Sequence, residues 1–183
     1  MSHPSTPGQT VGPFFHDALP FPGGEQLVPH GDPRAIRLHG RVIDGAGEPV
    51  PDALLEIWQA DERGRVVREP GSLRRDGYTF TGWGRAATDN DGRYTFTTVE
   101  PGPTEPGAAR FIAMTVFARG LLDRLFTRVY LPDDEALARD PLLAALPPAR
   151  RRTLVAASDA AGLVFDVVLQ GSGETVYLRH ARA

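Results

Sequence analysis

Apolar and polar residues alternate along much of this chain. Ile36, Leu38, Gly40 and Val42 interleave with Arg37, His39 and Arg41, the spacing that sends successive side chains to opposite faces of a strand. The run stops at Asp44-Gly45-Ala46-Gly47, residue types that favour a turn. A second strand is predicted over 53–60, with Leu55 and Ile57 on one face and Leu54, Glu56 and Trp58 on the other. Asp61-Glu62-Arg63-Gly64 then turns the chain. Thr88 to Gly92 reads as a hairpin turn leading into the alternating strand Tyr94-Thr95-Phe96-Thr97, which Pro101-Gly102-Pro103 ends. Residues 111–117 are apolar enough to predict a central strand buried on both faces. Strands are also predicted over 125–131, 163–169 and 175–178. Between them, 132–158 suits short helical pieces interrupted by Asp140-Pro141 and Pro147-Pro148, with Asp133 and Asp134 placed where free amides at a helix start favour negative charge.

Many short strands separated by turn signals define an all-β chain, and the architecture expected is a β-sandwich with short helices inserted near 133–157. The 183 residues, 41% of them hydrophobic, suffice for one core, and 20 glycines with 17 prolines favour short elements and many turns. Residues 1–34 stand apart as a Pro- and Gly-rich arm, leaving 35–183 as the sandwich domain. The arm also carries Val11, Phe14, Phe15, Leu19 and Phe21, and disordered tails are poor in such residues. It therefore packs on something, either its own domain or a partner.

Charge narrows the function classes. The 20 basic side chains are all Arg, the 23 acidic ones outnumber them, and the net charge is -3. Arg150-Arg151-Arg152 is the one basic cluster, and in a helical stretch it reads as a solvated face; nucleic-acid binding needs a basic stripe and excess positive charge. With no cysteine, disulfides and thiolate metal sites are excluded. The opening MSHPSTPGQT holds no apolar run of the signal-peptide kind, and no later segment is long enough for a membrane span. A cytoplasmic protein is expected.

A spaced series of motifs brings a family into view. Gly40-Arg41-Val42, Gly47-Glu48-Pro49-Val50-Pro51-Asp52-Ala53, Leu55-Glu56-Ile57-Trp58-Gln59-Ala60-Asp61 with Gly64-Arg65, Gly84-Arg85, Thr88-Asp89, Asp91-Gly92 and Pro101-Gly102 resemble the intradiol ring-cleavage dioxygenases. Thr10-Val11-Gly12-Pro13-Phe14, Phe117-Ala118-Arg119-Gly120-Leu121-Leu122, Leu169-Gln170-Gly171 and Glu174-Thr175-Val176 narrow the likeness to the alpha chains of members built from two kinds of chain. The resemblance covers most of the sequence. It implies a reaction in which O2 and Fe(III) open 3,4-dihydroxybenzoate between its hydroxyl-bearing carbons to 3-carboxy-cis,cis-muconate.

In this family the iron is held by two tyrosines and by a His-x-His pair on the strand after the Pro-Gly turn. Phenolates stabilise a hard trivalent ion and imidazoles complete its protein ligands, while alternation puts positions i and i+2 on one strand face. Here the His-x-His positions fall on Phe111 and Ala113, and the tyrosine after Pro-Gly-Pro falls on Thr104. The earlier tyrosine falls near Ser72, with Tyr78 close by, and the arginine before the His pair falls on Ala108 or Arg110. No metal ligand and no catalytic residue is therefore assigned to this chain. His39 reads as a strand-face histidine, and the Glu56 and Trp58 pair as scaffold.

The resemblance then implies a division of labour. Fe(III) belongs to a sister beta chain, the two pair and gather into larger assemblies, and a small aromatic substrate lies at their interface. Thr10, Gly12 and Pro13 on the arm are expected near that substrate. Arg128 is expected to meet its carboxylate, since a guanidinium offers a matching fork; a strand salt bridge is the plainer role for the same residue. The alternative for the whole chain is a free-standing β-sandwich binding module that kept the scaffold and lost the chemistry.

Overall fold

A computed structural model of the chain describes residue 12 and residues 14–69 and 75–179. Two sheets pack face to face, as expected. The first has the order β4-β1-β8-β7, built from β4 (Arg93–Val99), β1 (Ala35–Ile43), β8 (Gly162–Val164) and β7 (Ala157–Asp159), with β9 (Val167–Val168) also pairing β1. The second has the order β3-β2-β5-β6, from β3 (Trp83–Ala87), β2 (Leu54–Trp58), β5 (Phe111–Phe117) and β6 (Leu125–Tyr130). Leu38, Val42, Tyr94, Phe96 and Val167 of the first sheet, with Phe165 between β8 and β9, meet Leu55, Ile57, Ile112, Met114, Val116 and Val129 of the second in one core.

Alternation shapes these strands. Leu55 and Ile57 are buried while Glu56 and Trp58 face outward. Strand β5 was expected to be buried on both faces. Instead Ile112, Met114 and Val116 point into the core, and Phe111, Ala113, Thr115 and Phe117 are only half-buried, because no third layer among the described residues covers the outer side.

Four other expectations are revised. The Thr88–Gly92 turn closes as a hairpin turn does, with the Asp89 carboxylate accepting from the amides of Asp91 and Arg93, yet β3 and β4 go to different sheets. The strand predicted over 163–169 is split at Phe165 and Asp166. There the Phe165 carbonyl accepts from the Tyr94 hydroxyl at 2.5 Å, and the Asp166 carboxylate takes the Arg41 amide. Residues 175–178 form only an isolated bridge, Leu178 to Phe126. Residues 157 and 158, the end of the expected helical stretch, belong to β7, whose exposed residues carry no alternation.

The remaining helical stretch is short pieces, as expected: a 3-10 turn over Glu135–Arg139, α2 (Pro141–Ala144), α3 (Pro148–Arg151) and a second 3-10 turn over Arg152–Leu154. Asp134 and Asp140 cap the first two by accepting the amides of Ala136 and Leu143. These pieces close a second apolar cluster of Tyr130, Leu143, Leu154 and Val176 against β6. Arg150 and Arg151 bond the carbonyls of Glu174, Leu146 and Ala144.

Upstream, the single-turn helix α1 (Phe15–Ala18) buries Phe15. The chain then runs along the edges of both sheets: the Arg85 amide of β3 donates to the Gly24 carbonyl, while Glu25 and Leu27 bond Thr97 of β4. Leu27 enters the main core.

Candidate functional site

The outer face of the second sheet is where the family's iron site is expected. Strand pairing fixes its layout. Across one row stand Trp83, Trp58, Ala113 and Arg128, and beside it Arg85, Glu56, Thr115 and Phe126. Phe111 pairs with Tyr130 at the end of β5. The two positions expected to hold His-x-His thus share one face, as the chemistry requires, but carry a benzyl group and a methyl group.

A cation is nevertheless present. The Arg128 guanidinium lies 4.0 Å from the centre of the Phe111 ring, within the range where the ring quadrupole attracts a positive charge. Its Nη1 donates to the Tyr130 hydroxyl at 3.1 Å, and that hydroxyl donates to Asp140 Oδ1 at 3.1 Å. Burial pushes the Tyr130 hydroxyl above its ordinary pKa, and the Arg128 hydrogen bond opposes this. The chain of contacts couples the strand face to the cap of α2. Among the described residues, no carboxylate lies in ion-pair range of Arg128.

The other expected positions do not converge on a ligand set. Thr104 is exposed in the loop before β5, and Tyr78 is 97% exposed in a turn. Arg110 is held by Asp134 and Glu100. His39 sits on β1 facing Asp159 at 3.3 Å, in the other sheet. Among the described residues no group of three or more His, Cys, Asp or Glu could hold a metal ion. A benzyl group, a methyl group and a guanidinium do not fit Fe(III), and no chemical step is derived through iron on this chain. Ser72, Thr10 and Pro13 lie outside the described residues.

Gly12 is described, and a side-chain atom added there would meet nothing within 4 Å. The Glu56 and Trp58 pair resolves into separate roles. Glu56 accepts from both Nε and Nη2 of Arg85, at 2.9 and 2.5 Å, and Trp58 stands 48% exposed beside Trp83. Sequence reasoning quoted Arg85 only within a family motif and overlooked Arg75; both join the arm to this face. Arg85 Nη1 donates to the Leu19 carbonyl at 2.7 Å.

Comparison with known proteins places the sandwich in a family. The dioxygenase family model, Dioxygenase_C, matches residues 11–171. The chain belongs to the intradiol ring-cleavage dioxygenase family. It is 40% identical over 190 residues to the protocatechuate 3,4-dioxygenase alpha chain of Burkholderia cepacia, covering 94% of this chain and 95% of that one. The beta chain from the same organism is 34% identical over 184 residues, covering 91% of this chain and 76% of that one. Among solved structures, the dioxygenase domain of a dioxygenase carbohydrate-binding fusion from Streptomyces sp. SirexAA-E superposes with a TM-score of 0.60 at 30% identity, covering 91% of this chain and 99% of that one. No helix among the described residues is long and apolar enough to cross a membrane.

Proposed function

We propose that this chain is the iron-free alpha subunit of a protocatechuate 3,4-dioxygenase. Its partner is a beta chain that holds Fe(III) and uses O2 to cleave 3,4-dihydroxybenzoate to 3-carboxy-cis,cis-muconate, a step of aromatic catabolism in the β-ketoadipate pathway. The observation that carries the reading is the preserved sheet face with Phe111 and Ala113 at the ligand positions and Arg128 against Phe111. A fold kept whole while its metal donors are replaced points to a retained task other than chemistry. The similarity to alpha chains over nearly the full length supports the same assignment.

The substrate contacts proposed are Thr10, Gly12 and Pro13 from the arm and Arg128 from β6. Two observations support them. A Cβ added at Gly12 would meet nothing within 4 Å among the described residues, which leaves room there for another molecule. Arg128 is half-buried with no carboxylate partner among the described residues, a state in which a substrate carboxylate offers the missing counter-charge. A higher alpha/beta assembly and a cytoplasmic setting belong to the same proposal.

Co-expression with a beta chain bearing His-x-His tests it. The expected result is co-purification, the red colour of a phenolate-bound ferric centre, one iron per alpha/beta pair and oxygen uptake with protocatechuate. A stable monomer that ignores the beta chain favours the second reading, a free-standing binding module. That reading draws on the arm segment from Leu19 to Val28, which lies on this chain's own sheets.

A further inference from the structure

Arg75 is an unusual cation. Its guanidinium is half-buried and lies in no ion pair among the described residues. Its acceptors are neutral: Nη1 donates to Thr81 Oγ1 at 2.7 Å, and Nη2 donates to the carbonyls of Trp83 at 2.7 Å and Gly24 at 3.2 Å. The planar group lies 5.8 Å from the centre of the Phe21 ring, which stacks on Trp83 with ring centres 6.0 Å apart and planes 4° from parallel. Nε is buried without a hydrogen-bond partner among the described residues. Desolvation pulls the guanidinium below its ordinary pKa, and the Glu25 charge only partly opposes this.

Burying a charge against neutral carbonyls is a poor route to stability, because desolvation is costly and no counter-ion repays it. The return is geometric. One rigid fork joins three segments: the loop at Thr81, the start of edge strand β3 at Trp83, and the arm's turn at Phe21–Gly24. The turn is seated closely, since a Cβ on Gly24 would lie 2.9 Å from the Arg85 carbonyl oxygen and 3.1 Å from the Phe21 ring. A lysine, with a single nitrogen and no plane, cannot serve these directions together.

We propose that Arg75 is a positioning residue for the substrate pocket of the assembled enzyme. It locks the Phe21–Gly24 turn onto β3 and so fixes where α1, the described segment that follows the tip in sequence, is anchored. The inference rests on the alpha-subunit reading. Without the lock the arm samples other courses, and the apparent affinity for substrate falls by the fraction of molecules in which the tip is in place.

The test uses the complete alpha/beta complex in four forms: unaltered, Arg75→Gln, Arg75→Lys, and an alpha chain lacking residues 1–13. Deletion of the tip raises KM for protocatechuate. Arg75→Gln raises it roughly three- to tenfold with kcat within about twofold and iron content unchanged, because a positional loss acts on binding and not on the iron chemistry. Arg75→Lys keeps the charge and raises KM in the same direction. Hydrogen exchange in both variants quickens at the Arg85 amide, which is bonded to Gly24 in the unaltered chain. If tip deletion raises KM and both Arg75 variants leave it unchanged, Arg75 is only structural and the inference is overturned. If tip deletion itself leaves KM unchanged in an active complex, the arm reading falls and this inference falls with it. Should Arg75→Gln fail to fold, Arg75→Lys carries the same readouts.

Discussion

The guanidinium of Arg128 rests 4.0 Å from the centre of the Phe111 ring, on the outer face of the second sheet. The geometry gives Arg128 two separable effects. Contact with the ring is worth about 0.5–2 kcal/mol of stability, and the guanidinium, bonded to the Tyr130 hydroxyl but to no carboxylate among the described residues, has donors left for one. Arg128→Ala is expected to lower the melting temperature by a few degrees and to raise KM for protocatechuate in the alpha/beta complex by roughly tenfold, the scale of one charge-assisted hydrogen bond. Steady-state kinetics beside thermal unfolding checks this. An unchanged KM with a lowered melting temperature leaves Arg128 as packing alone.

A buried amide couples the two sheets. Gln59, just beyond β2, donates through Nε2 to the Val99 carbonyl at 2.8 Å and accepts from the Thr98 hydroxyl at 2.7 Å, both on β4 of the opposite sheet. Leucine at this position fits the volume but abandons a carbonyl and a hydroxyl in the core. Gln59→Leu is expected to cost about 2–3 kcal/mol, seen as a drop of roughly 4–12 °C in the unfolding midpoint of a chain this size. A shift within a degree of the unaltered protein contradicts the proposed coupling.

How much of this was legible in the sequence depended on whether a residue's role follows from its own neighbours. Strand β5 was readable with its bounds because 111–117 is a short apolar run, and that Phe111 and Ala113 offer no metal donor was readable from residue type alone. Strand β3 was not, since Trp83-Gly84-Arg85-Ala86-Ala87 shows no apolar alternation; Gly84 is small because Leu27 of the arm lies against it. Burial of β5 on both faces was the wrong inference from an apolar run, because composition does not say whether the second face meets this chain. Arg75 gave no signal at all. Of its acceptors, Thr81 offers a hydroxyl of a common loop residue and Gly24 and Trp83 offer only backbone, which leaves no mark on a sequence.

Acid should loosen the loops before the core. The Arg34 guanidinium and amide hold Asp32 at about 2, and the Thr79 hydroxyl and amide, with the Tyr78 amide, hold Asp76 at about 2, against an ordinary value of 3.8. A carboxylate whose pKa is lower in the folded chain stabilises that state fully above the ordinary value, and the contribution vanishes as pH falls through the depressed one. Both groups therefore predict a flat melting temperature from neutral pH to about 5 and a decline between roughly 4 and 2. Asp76→Asn should lower the neutral-pH melting temperature slightly and make the acid decline shallower. An equally steep decline in the variant means that other carboxylates set it.

Gly40 sits where β1 passes the break between β8 and β9, and the sheet leaves it no room. A Cβ there would stand 2.0 Å from the Phe165 carbonyl oxygen and 3.2 Å from the Tyr94 hydroxyl. That same carbonyl accepts the Tyr94 hydroxyl at 2.5 Å, in full burial that drives the phenol well above its usual pKa. Adding one methyl group must therefore push apart backbone, not a flexible side-chain end, and must break the buried hydrogen bond as it does so. Gly40→Ala is expected to cost about 3 kcal/mol or more, enough to reduce soluble yield. Tyr94→Phe removes only the hydroxyl and leaves the Phe165 carbonyl unsatisfied, at about 1–3 kcal/mol. Because both changes act on one carbonyl, the double variant should cost less than the sum of the two, a non-additivity that chemical denaturation of the four proteins measures directly.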